Sequence, residues 1–345
     1  MRNVAVIMGG RSGEHEVSLG SGREVLRHID RTRNVSLPVI LTPENRWRIW
    51  PAPTGSPKEF SPDDSAVTGQ SPGEALEALQ AWPVDVAFLV LHGPYGEDGR
   101  IQGFLDMADI PYTGSGHAAS ALCMDKVQCK RIMEWRGIVT PEWEVVDLSR
   151  ETARDLIPRL EERYGYPLVA KTPCLGSSVG MAIPNGREEL EAFLEEAAGH
   201  ERRLLVERYL PGTEVTCAVL DGPAGPEALP PTEIVPKTGP FFDYHAKYTP
   251  GASDEITPAR TRPEETRELQ RLALELHDLM GCRGMSRSDF ILEGGRLSCM
   301  EVNTIPGMTV TSLLPQAAEC AGISFAGVIE RLIDSALGGA RGGRR

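Results

Sequence analysis

The chain has 345 residues, with 36 basic and 49 acidic side chains and a formal net charge of −13 at pH 7. This balance argues against partners such as nucleic acid or an anionic membrane, because both are recognised through clustered Lys and Arg. The length is sufficient for two or three domains of about 100 to 200 residues each. The sequence contains no run of about 18 apolar residues, the length that would predict a membrane span.

The seven cysteines form no C-x-x-C pair and lack the spacing of a disulfide framework. We therefore expect reduced thiols and a cytoplasmic location. The apolar run at residues 3–8 is too short for a signal peptide and instead predicts a buried strand.

The N-terminal third alternates strands and helices, which predicts an α/β domain with a mainly parallel sheet. Residues 42–73 are rich in Pro, Ser, Gly and Asp and predict an irregular surface segment. The predicted elements are a strand at 3–8, a helix at 18–29, and strands at 35–41 and 84–91.

A glycine-rich loop at residues 9–13 follows the first strand and only partly matches a dinucleotide-binding fingerprint. Acidic side chains come next, among them Glu16, and these repel a pyrophosphate at a helix N-terminus. Glu16 suits recognition of an ammonium group, and stabilisation of the helix dipole explains it equally well.

His92 follows the strand at 84–91, at the sheet edge where α/β proteins bind ligands. A structural histidine fits the same pattern. Glu97 and Asp98 are interpreted as charges at the start of a helix near Arg100.

The pattern of elements changes near residue 115, which indicates a second domain and then a third. The Gly/Arg-rich tail at 338–345 predicts disorder. The predicted elements are a helix at 124–135, a helix after Ser149 that ends near Gly165, a strand at 167–171, a helix closed by Gly199, strands at 204–207 and 214–220, a helix at 263–280, a hairpin at 287–303, and helices at 311–320 and 324–337.

Lys171 ends a predicted strand and leads into the Gly/Ser-rich loop TPCLGSSVG. Small residues allow backbone N–H groups to bind an anion, and the lysine adds positive charge, so a phosphate site and a simple flexible turn both fit. Lys126 taken alone is typical of a surface lysine. Four aromatic residues at 241–248 predict either a mobile lid or packing beneath a loop.

The hairpin at 287–303 has Gly294 and Gly295 at its turn. If the loop has three residues, or if a bulge interrupts the pairing, Asp289 lies opposite Glu301, and the polar side chains share one face. A two-residue turn without a bulge would split them between both faces. The polar set is Arg287, Asp289, Glu301 and Asn303, and the apolar set is Phe290, Leu292, Met300 and Val302.

Oxygen ligands on one face suit Mg²⁺, which typically takes one or two protein carboxylates. A solvated hairpin face shows the same alternation. The hairpin alone therefore leaves both interpretations open.

Together these segments resemble the D-alanine:D-alanine ligases of the ATP-grasp superfamily. The resemblance covers nearly the whole chain outside residues 42–73 and the tail, and its motifs occur in the family's order. The motifs are GGRSGEHEVS, LHGPYGEDG, PYTGSG, MDK, KTPCLGSSVG, VERYLPGTEVT, DYHAKYTPGA, RSDF and MEVNTIPGMTVTSLLP.

The resemblance implies an α/β protein with a three-domain ATP-grasp ligase fold. An N-terminal, mainly parallel sheet domain (1–114) would carry the first-substrate loop. Two α+β domains would sandwich ATP: a central one (115–207) with the phosphate loop, and a C-terminal one (208–337) with the lid and the metal site. It also implies a homodimer.

The implied reaction is ATP-dependent ligation of two D-alanines through a D-alanyl phosphate, with release of ADP and phosphate, for peptidoglycan precursor synthesis. Asp289, Glu301 and Asn303 would bind two Mg²⁺ or Mn²⁺ ions. The implied ATP-binding residues are Lys126, Lys171, Ser177, Ser178, Val179, Glu207, Arg208, Leu210, Glu214 and Lys247.

The resemblance also assigns substrate and catalytic residues. Glu16 would bind the first ammonium group with His92 nearby, and Arg287 with the Gly307 N–H would stabilise the oxyanion. Ser312 and Leu313 would bind the second carboxylate, and Tyr248 would link to Ser177 and Glu16 and close the lid. The alternatives are the same mechanism with D-serine, D-lactate or another second substrate, and a nucleotide-binding sensor without catalysis.

Overall fold

The computed structural model describes residues 1–50, 67–176, 180–237 and 253–342, and within these ranges the strands form three sheets. None of the helices in the described ranges is both long and apolar enough to cross a membrane.

The first sheet has β1 (Arg2–Gly9) at its centre, paired in parallel with β2 (Asn34–Leu41) and β4 (Val86–Leu89). The mainly parallel sheet predicted for this domain is therefore present. Its edge strand β3 (Trp47–Ile49) pairs antiparallel with β2 and lies in the segment that was predicted to be irregular. The helices of this region are α1 (His15–His28), α2 (Pro72–Ala81) and α3 (Arg100–Met107).

The second sheet is antiparallel and has the order β5–β8–β6–β7. Helices α6 (Ala153–Tyr164) and α7 (Arg187–Ala198) bury their apolar faces against it in one core. The strands are β5 (Trp143–Asp147), β6 (Leu168–Lys171), β7 (Met181–Ala182) and β8 (Arg203–Arg208). Lys171 is the last residue of β6.

The third sheet has the order β12–β11–β9–β13–β14, with β10 paired to β9. Its apolar face shares a core with residues of three helices, α4 (His117–Met124), α5 (Lys126–Arg136) and α8 (Pro263–Leu279). The strands are β9 (Thr213–Gly222), β10 (Gly225–Ala228), β11 (Thr232–Pro236), β12 (Ser253–Ile256), β13 (Met285–Glu293) and β14 (Arg296–Asn303).

The C-terminal helices α9 (Leu313–Cys320) and α10 (Phe325–Gly342) join the core of the first sheet. Residues of the third sheet, among them Met285, belong to that same core. This shared packing brings the loops after β1 and β4 close to the loop after β14.

Two predicted elements differ from the structure. The helix expected at 124–135 begins two residues later, as α5, because the Asp125 side chain accepts hydrogen bonds from the N–H groups of Val127 and Gln128; residues before Asp125 belong to the separate helix α4. Helix α10 continues through Gly342, so residues 338–342 are helical and not disordered. Extending a helix that has already formed adds one hydrogen bond for each residue fixed.

The hairpin of β13 and β14 has the predicted register. Asp289 pairs with Glu301 and Arg287 with Asn303, and a bulge lies between Asp289 and Phe290. The turn has two residues, and both glycines adopt a positive φ as such a turn requires. The bulge thus performs the register shift that a three-residue loop would otherwise provide.

The prediction that Met300 belongs to the apolar face of the hairpin is wrong. Phe290 pairs with Cys299, and both are buried in the core. Met300 is the extra residue of the bulge, and it lines the same cleft as its neighbour Glu301. A bulge lets two consecutive side chains point to one side of a strand.

Candidate active site

A cleft of about 390 Å³ lies between the second and third sheets. Five of the residues predicted to bind ATP line it, and so do two of the predicted metal ligands, Asp289 and Glu301. The five are Lys126, Lys171, Arg208, Leu210 and Glu214. Apolar walls combined with a few charged groups are typical of a nucleotide site.

Glu207 is not among the residues that line the cleft. It pairs with Val169, so its side chain is on the same face of the second sheet as Val169 and Lys171, which line the cleft, but it is fully buried beneath the cleft wall. Its carboxylate pairs with Lys171 at 2.6 Å and with Lys130 at 2.5 Å. The side chain therefore supports the cleft from behind.

Lys126 is not a surface lysine, since only 11% of its side chain is exposed. Its Nζ donates to the Leu175 carbonyl at 2.8 Å and lies 3.3 Å from the Glu301 carboxylate. Burial disfavours its charge, but Glu301 outweighs that effect, and the pKa of Lys126 is raised. A charged lysine thus stands beside the candidate metal ligands.

The Asp289 carboxylate accepts four hydrogen bonds. Arg287 donates to both of its oxygens at 2.8 Å, as a bidentate pair. Thr216 Oγ1 donates at 2.7 Å and Asn303 Nδ2 at 3.0 Å. These four contacts fix the carboxylate on the polar face of the hairpin.

The oxygen donors of Asp289, Glu301 and Asn303 fit a hard divalent cation, which prefers carboxylate and carbonyl oxygen. The described residues contain no group of three His, Cys, Asp or Glu side chains arranged to hold a metal ion. The candidate site accordingly has two carboxylates and one amide, and water and phosphate oxygens would supply the remaining ligands.

Glu16, predicted to bind an ammonium group, has an exposed side chain on α1. Glu14, two residues earlier, is 8% exposed and points to the opposite side. A methyl group added at Gly93 would lie 2.8 Å from Glu14 Oε2, and one added at Gly176 would lie 3.1 Å from it. The Glu14 carboxylate therefore occupies the space between the loop after β4 and the phosphate loop.

His92 is 5% exposed and lies with its ring Nε2 3.4 Å from Ser21 Oγ. Burial lowers the pKa of His92 and outweighs the opposing effect of nearby Glu14. The imidazole is therefore neutral at neutral pH. Its ring lies within electrostatic range of Glu14 and Arg287, and its place near the first substrate stays a prediction.

The sequence suggested that Glu97 is an N-terminal charge of α3, but the structure places it elsewhere. Its carboxyl oxygens accept hydrogen bonds from the N–H groups of Gly93 at 2.8 Å and Ile305 at 3.2 Å. It thereby joins the loop that contains His92 to the loop that contains Gly307. Asp98 does fit the prediction, since it accepts from the N–H of Arg100 at 3.1 Å.

Glu97 predicts a pH-dependent stability. Burial and the neighbouring Glu14 raise the pKa of Glu97 to about 8, from an ordinary value of 4.5. A carboxyl with a raised folded-state pKa stabilises the protein most at low pH, and this contribution is lost as pH rises from 4.5 through about 8.

Relative to Glu97→Gln, which does not titrate, the wild-type protein should lose stability across this range. The loss is at most about 1.4 kcal/mol per pH unit. Urea unfolding of both proteins at several pH values measures the difference, and parallel stability profiles would contradict the prediction.

Ser312 stands immediately before α9, and its Oγ accepts from the Thr309 N–H at 3.1 Å. A methyl group added at Gly307 would lie 2.8 Å from Ser312 Oγ, so this close approach requires glycine. Leu313 begins the helix and is 8% exposed. The predicted second-substrate residues and the predicted oxyanion donor are thus neighbours.

Several predicted residues lie outside the described ranges. They are Ser177, Ser178, Val179, Lys247 and Tyr248. Their predicted roles stay predictions.

Comparison with known proteins decides the family. The sequence-family model described as D-ala D-ala ligase N-terminus matches residues 3–115, and the family model described as D-ala D-ala ligase C-terminus matches residues 132–334. The D-alanine–D-alanine ligase of Pelotomaculum thermopropionicum is 40% identical over 339 residues, which cover 97% of this chain and 96% of that relative. The chain belongs to the D-alanine–D-alanine ligase family. It is an enzyme of the ligase class and uses ATP.

Solved structures of D-alanine–D-alanine ligases match nearly the full chain. The enzyme from Coxiella burnetii has a TM-score of 0.83 at 27% identity, and the match covers 99% of this chain and 95% of the Coxiella chain. The Bacillus anthracis enzyme complexed with ATP has a TM-score of 0.77 at 29% identity, with 99% of both chains covered.

A structure of VanG D-Ala:D-Ser ligase from Enterococcus faecalis has a TM-score of 0.84 at 32% identity, covering 97% of this chain and 99% of its own. These matches confirm the predicted ATP-grasp ligase fold. The domain boundaries after residues 114, 207 and 337 stay predictions.

Three residues near this ligase's candidate site were not predicted from the sequence. Glu14 belongs to the same motif as Glu16, and only the fold distinguishes them. The sequence signal for Glu97 was its position as an acidic residue next to a ligand-binding loop. Lys130 had only its spacing of four residues from Lys126, which places both on one side of α5.

Proposed function

We propose that this ligase joins two D-alanines to D-alanyl-D-alanine and converts ATP to ADP and phosphate. The observation that carries the proposal is the Arg287–Asp289 pair, which stands where the ATP cleft meets the loops of Glu14, His92 and Gly307. A phosphoryl donor and a carboxylate acceptor bound on either side of this pair would be adjacent.

In the first step, the γ-phosphoryl group moves from ATP to the carboxylate of the first D-alanine, and ADP leaves. Lys126 and Lys171 would attract and orient the phosphates by their charge. Bound to Asp289, Glu301 and Asn303, two Mg²⁺ or Mn²⁺ ions would neutralise negative charge on the transferring group. Glu14 would hold the first substrate's ammonium group, a role that the buried position favours over exposed Glu16.

In the second step, the neutral amine of the second D-alanine attacks the acyl carbon and forms the C–N bond, and the C–O bond to phosphate then breaks, with the amine proton passing to the departing phosphate. The oxyanion of the tetrahedral intermediate would be stabilised by Arg287 and the Gly307 N–H. Arg287 remains positively charged. Burial disfavours its charge, but the effect of Asp289 is larger and raises the pKa of the guanidinium. Ser312 and the N-terminus of α9 would bind the second carboxylate.

Part of the proposal rests on the family resemblance. The Ser177, Ser178 and Val179 loop would close over the γ-phosphate, Lys247 would bind ATP, and Tyr248 would close the lid. A homodimer, a cytoplasmic location and a role in peptidoglycan precursor synthesis belong to the proposal in the same way.

A D-alanine–D-serine ligase is the second candidate, because the VanG D-Ala:D-Ser ligase is similar over nearly the whole chain. Phosphate release and product mass should be measured with D-alanine alone, with added D-serine and with added D-lactate. We expect D-alanyl-D-alanine as the main product in every mixture. A mixed product in excess would favour the second candidate, and no ATP-dependent product in any mixture would refute both.

A further inference from the structure

Behind the ATP cleft, three charged side chains form a buried cluster that consists of Lys130, Glu207 and Lys171. Lys130 and Glu207 have fully buried side chains, and that of Lys171 is 8% exposed. Glu207 lies between the lysines, with one oxygen 2.5 Å from Lys130 Nζ and the other 2.6 Å from Lys171 Nζ.

Only Lys171 of these three reaches the cleft. Lys130 comes from α5, one helical turn after Lys126, and its ammonium also donates a hydrogen bond to Thr140 Oγ1. Lys130 is therefore held behind the cleft and makes no direct contact with the space that a nucleotide would fill.

The charges of the cluster sum to +1, because two ammonium groups share one carboxylate. Burial disfavours the charge of Glu207, but Lys130 and Lys171 outweigh it and lower the pKa of that carboxyl. If Glu207 paired with Lys171 alone, the pair would be neutral, and the ammonium group would attract a phosphate only weakly.

We propose that Lys130 is a positioning residue that neutralises Glu207, so that the charge of Lys171 remains available to the nucleotide phosphates. This inference rests on the proposed ATP site. According to this inference, Lys130 increases the affinity for phosphate although it lies outside the cleft. The shape of the adenosine pocket does not depend on Lys130.

The test compares the binding of ADP with that of adenosine, which lacks phosphates, by isothermal titration calorimetry at fixed ionic strength. Lys130→Met should weaken ADP binding by at least about tenfold, the scale expected when one charge is lost. Adenosine binding should change less than about threefold. Equal losses for both ligands would mean that Lys130 only supports the fold, and would overturn the proposal.

A second variant covers the case in which Lys130→Met does not fold. Lys130→Met combined with Glu207→Gln removes the buried ion pair as a unit, and neutral replacements of buried pairs are often tolerated. Lys171 then keeps its charge, so the double variant should prefer ADP over adenosine to within about threefold of wild type. If that preference is lost in the double variant, neutralisation of Glu207 is not the role of Lys130.

Lys171→Met separates this inference from the proposed function. If that variant binds ADP as tightly as wild type, the cleft is not the phosphate site and the proposed ATP site itself fails. If Lys171→Met weakens ADP binding tenfold and Lys130→Met does not, the ATP site stands and only the role of Lys130 is refuted.

Discussion

Replacement of Asp289 by Asn is expected to reduce kcat by about 10²- to 10³-fold, the scale seen when one group that stabilises a transition-state charge is removed. The carboxylate accepts four hydrogen bonds in the structure, two of them from Arg287. An amide nitrogen cannot accept any of them. The same substitution removes a negative ligand from the candidate metal site.

The measurement is ATP-dependent phosphate release at saturating D-alanine, repeated over a range of Mg²⁺ concentrations. The Mg²⁺ concentration for half-maximal rate should rise together with the fall in kcat. Asp278→Asn, an exposed aspartate on α8, is the matched control and should retain wild-type activity. Because Asp289 partners a largely buried guanidinium, thermal unfolding of each variant should accompany the assay.

An unchanged Mg²⁺ dependence with reduced kcat would assign Asp289 only to the orientation of Arg287. Wild-type kcat in a folded variant would contradict both roles.

Glu14→Gln is expected to raise the KM for D-alanine by about 10- to 100-fold, while Glu16→Gln should change it by less than about twofold. A hydrogen bond to a charged group contributes about 1.5 to 3 kcal/mol, and the substitution removes the charge at a nearly buried site. Glu16 is exposed in the first turn of α1, where its main effect is on the helix dipole.

The two variants are matched controls for one another, since the change is identical and the positions are two residues apart. Initial rates of ADP formation over a range of D-alanine concentrations give both KM values. A large effect at Glu16 with none at Glu14 would restore the original prediction from sequence and would contradict the geometry of the loop.

The comparison of Glu14 with Glu16 illustrates what a motif leaves open. Both are acidic, and both follow the same glycine loop. Their separation by two residues at the start of a helix turns them to different sides. The choice depends on how the start of α1 lies against the loop after β4 and the phosphate loop, which are distant parts of the chain.

The hairpin illustrates the opposite case, in which local sequence came close to the answer. Alternation along 287–303 and the two glycines predicted the strands and their turn. The polar set on one face then required either a longer loop or a bulge. The structure has the bulge, and its position at Met300 came from packing of Phe290 and Cys299 in the core.

The sequence by itself determined the α/β class, most strands and helices, the hairpin with its glycine turn, and the family, because these depend on periodicity, turn residues and ordered motifs. Tertiary structure alone decided that Glu14 is buried and Glu16 exposed, that Glu97 joins two loops, and that Lys130 stands behind Lys171. Each of these facts depends on burial and on charges that meet across elements far apart in the chain, and no local pattern records such encounters.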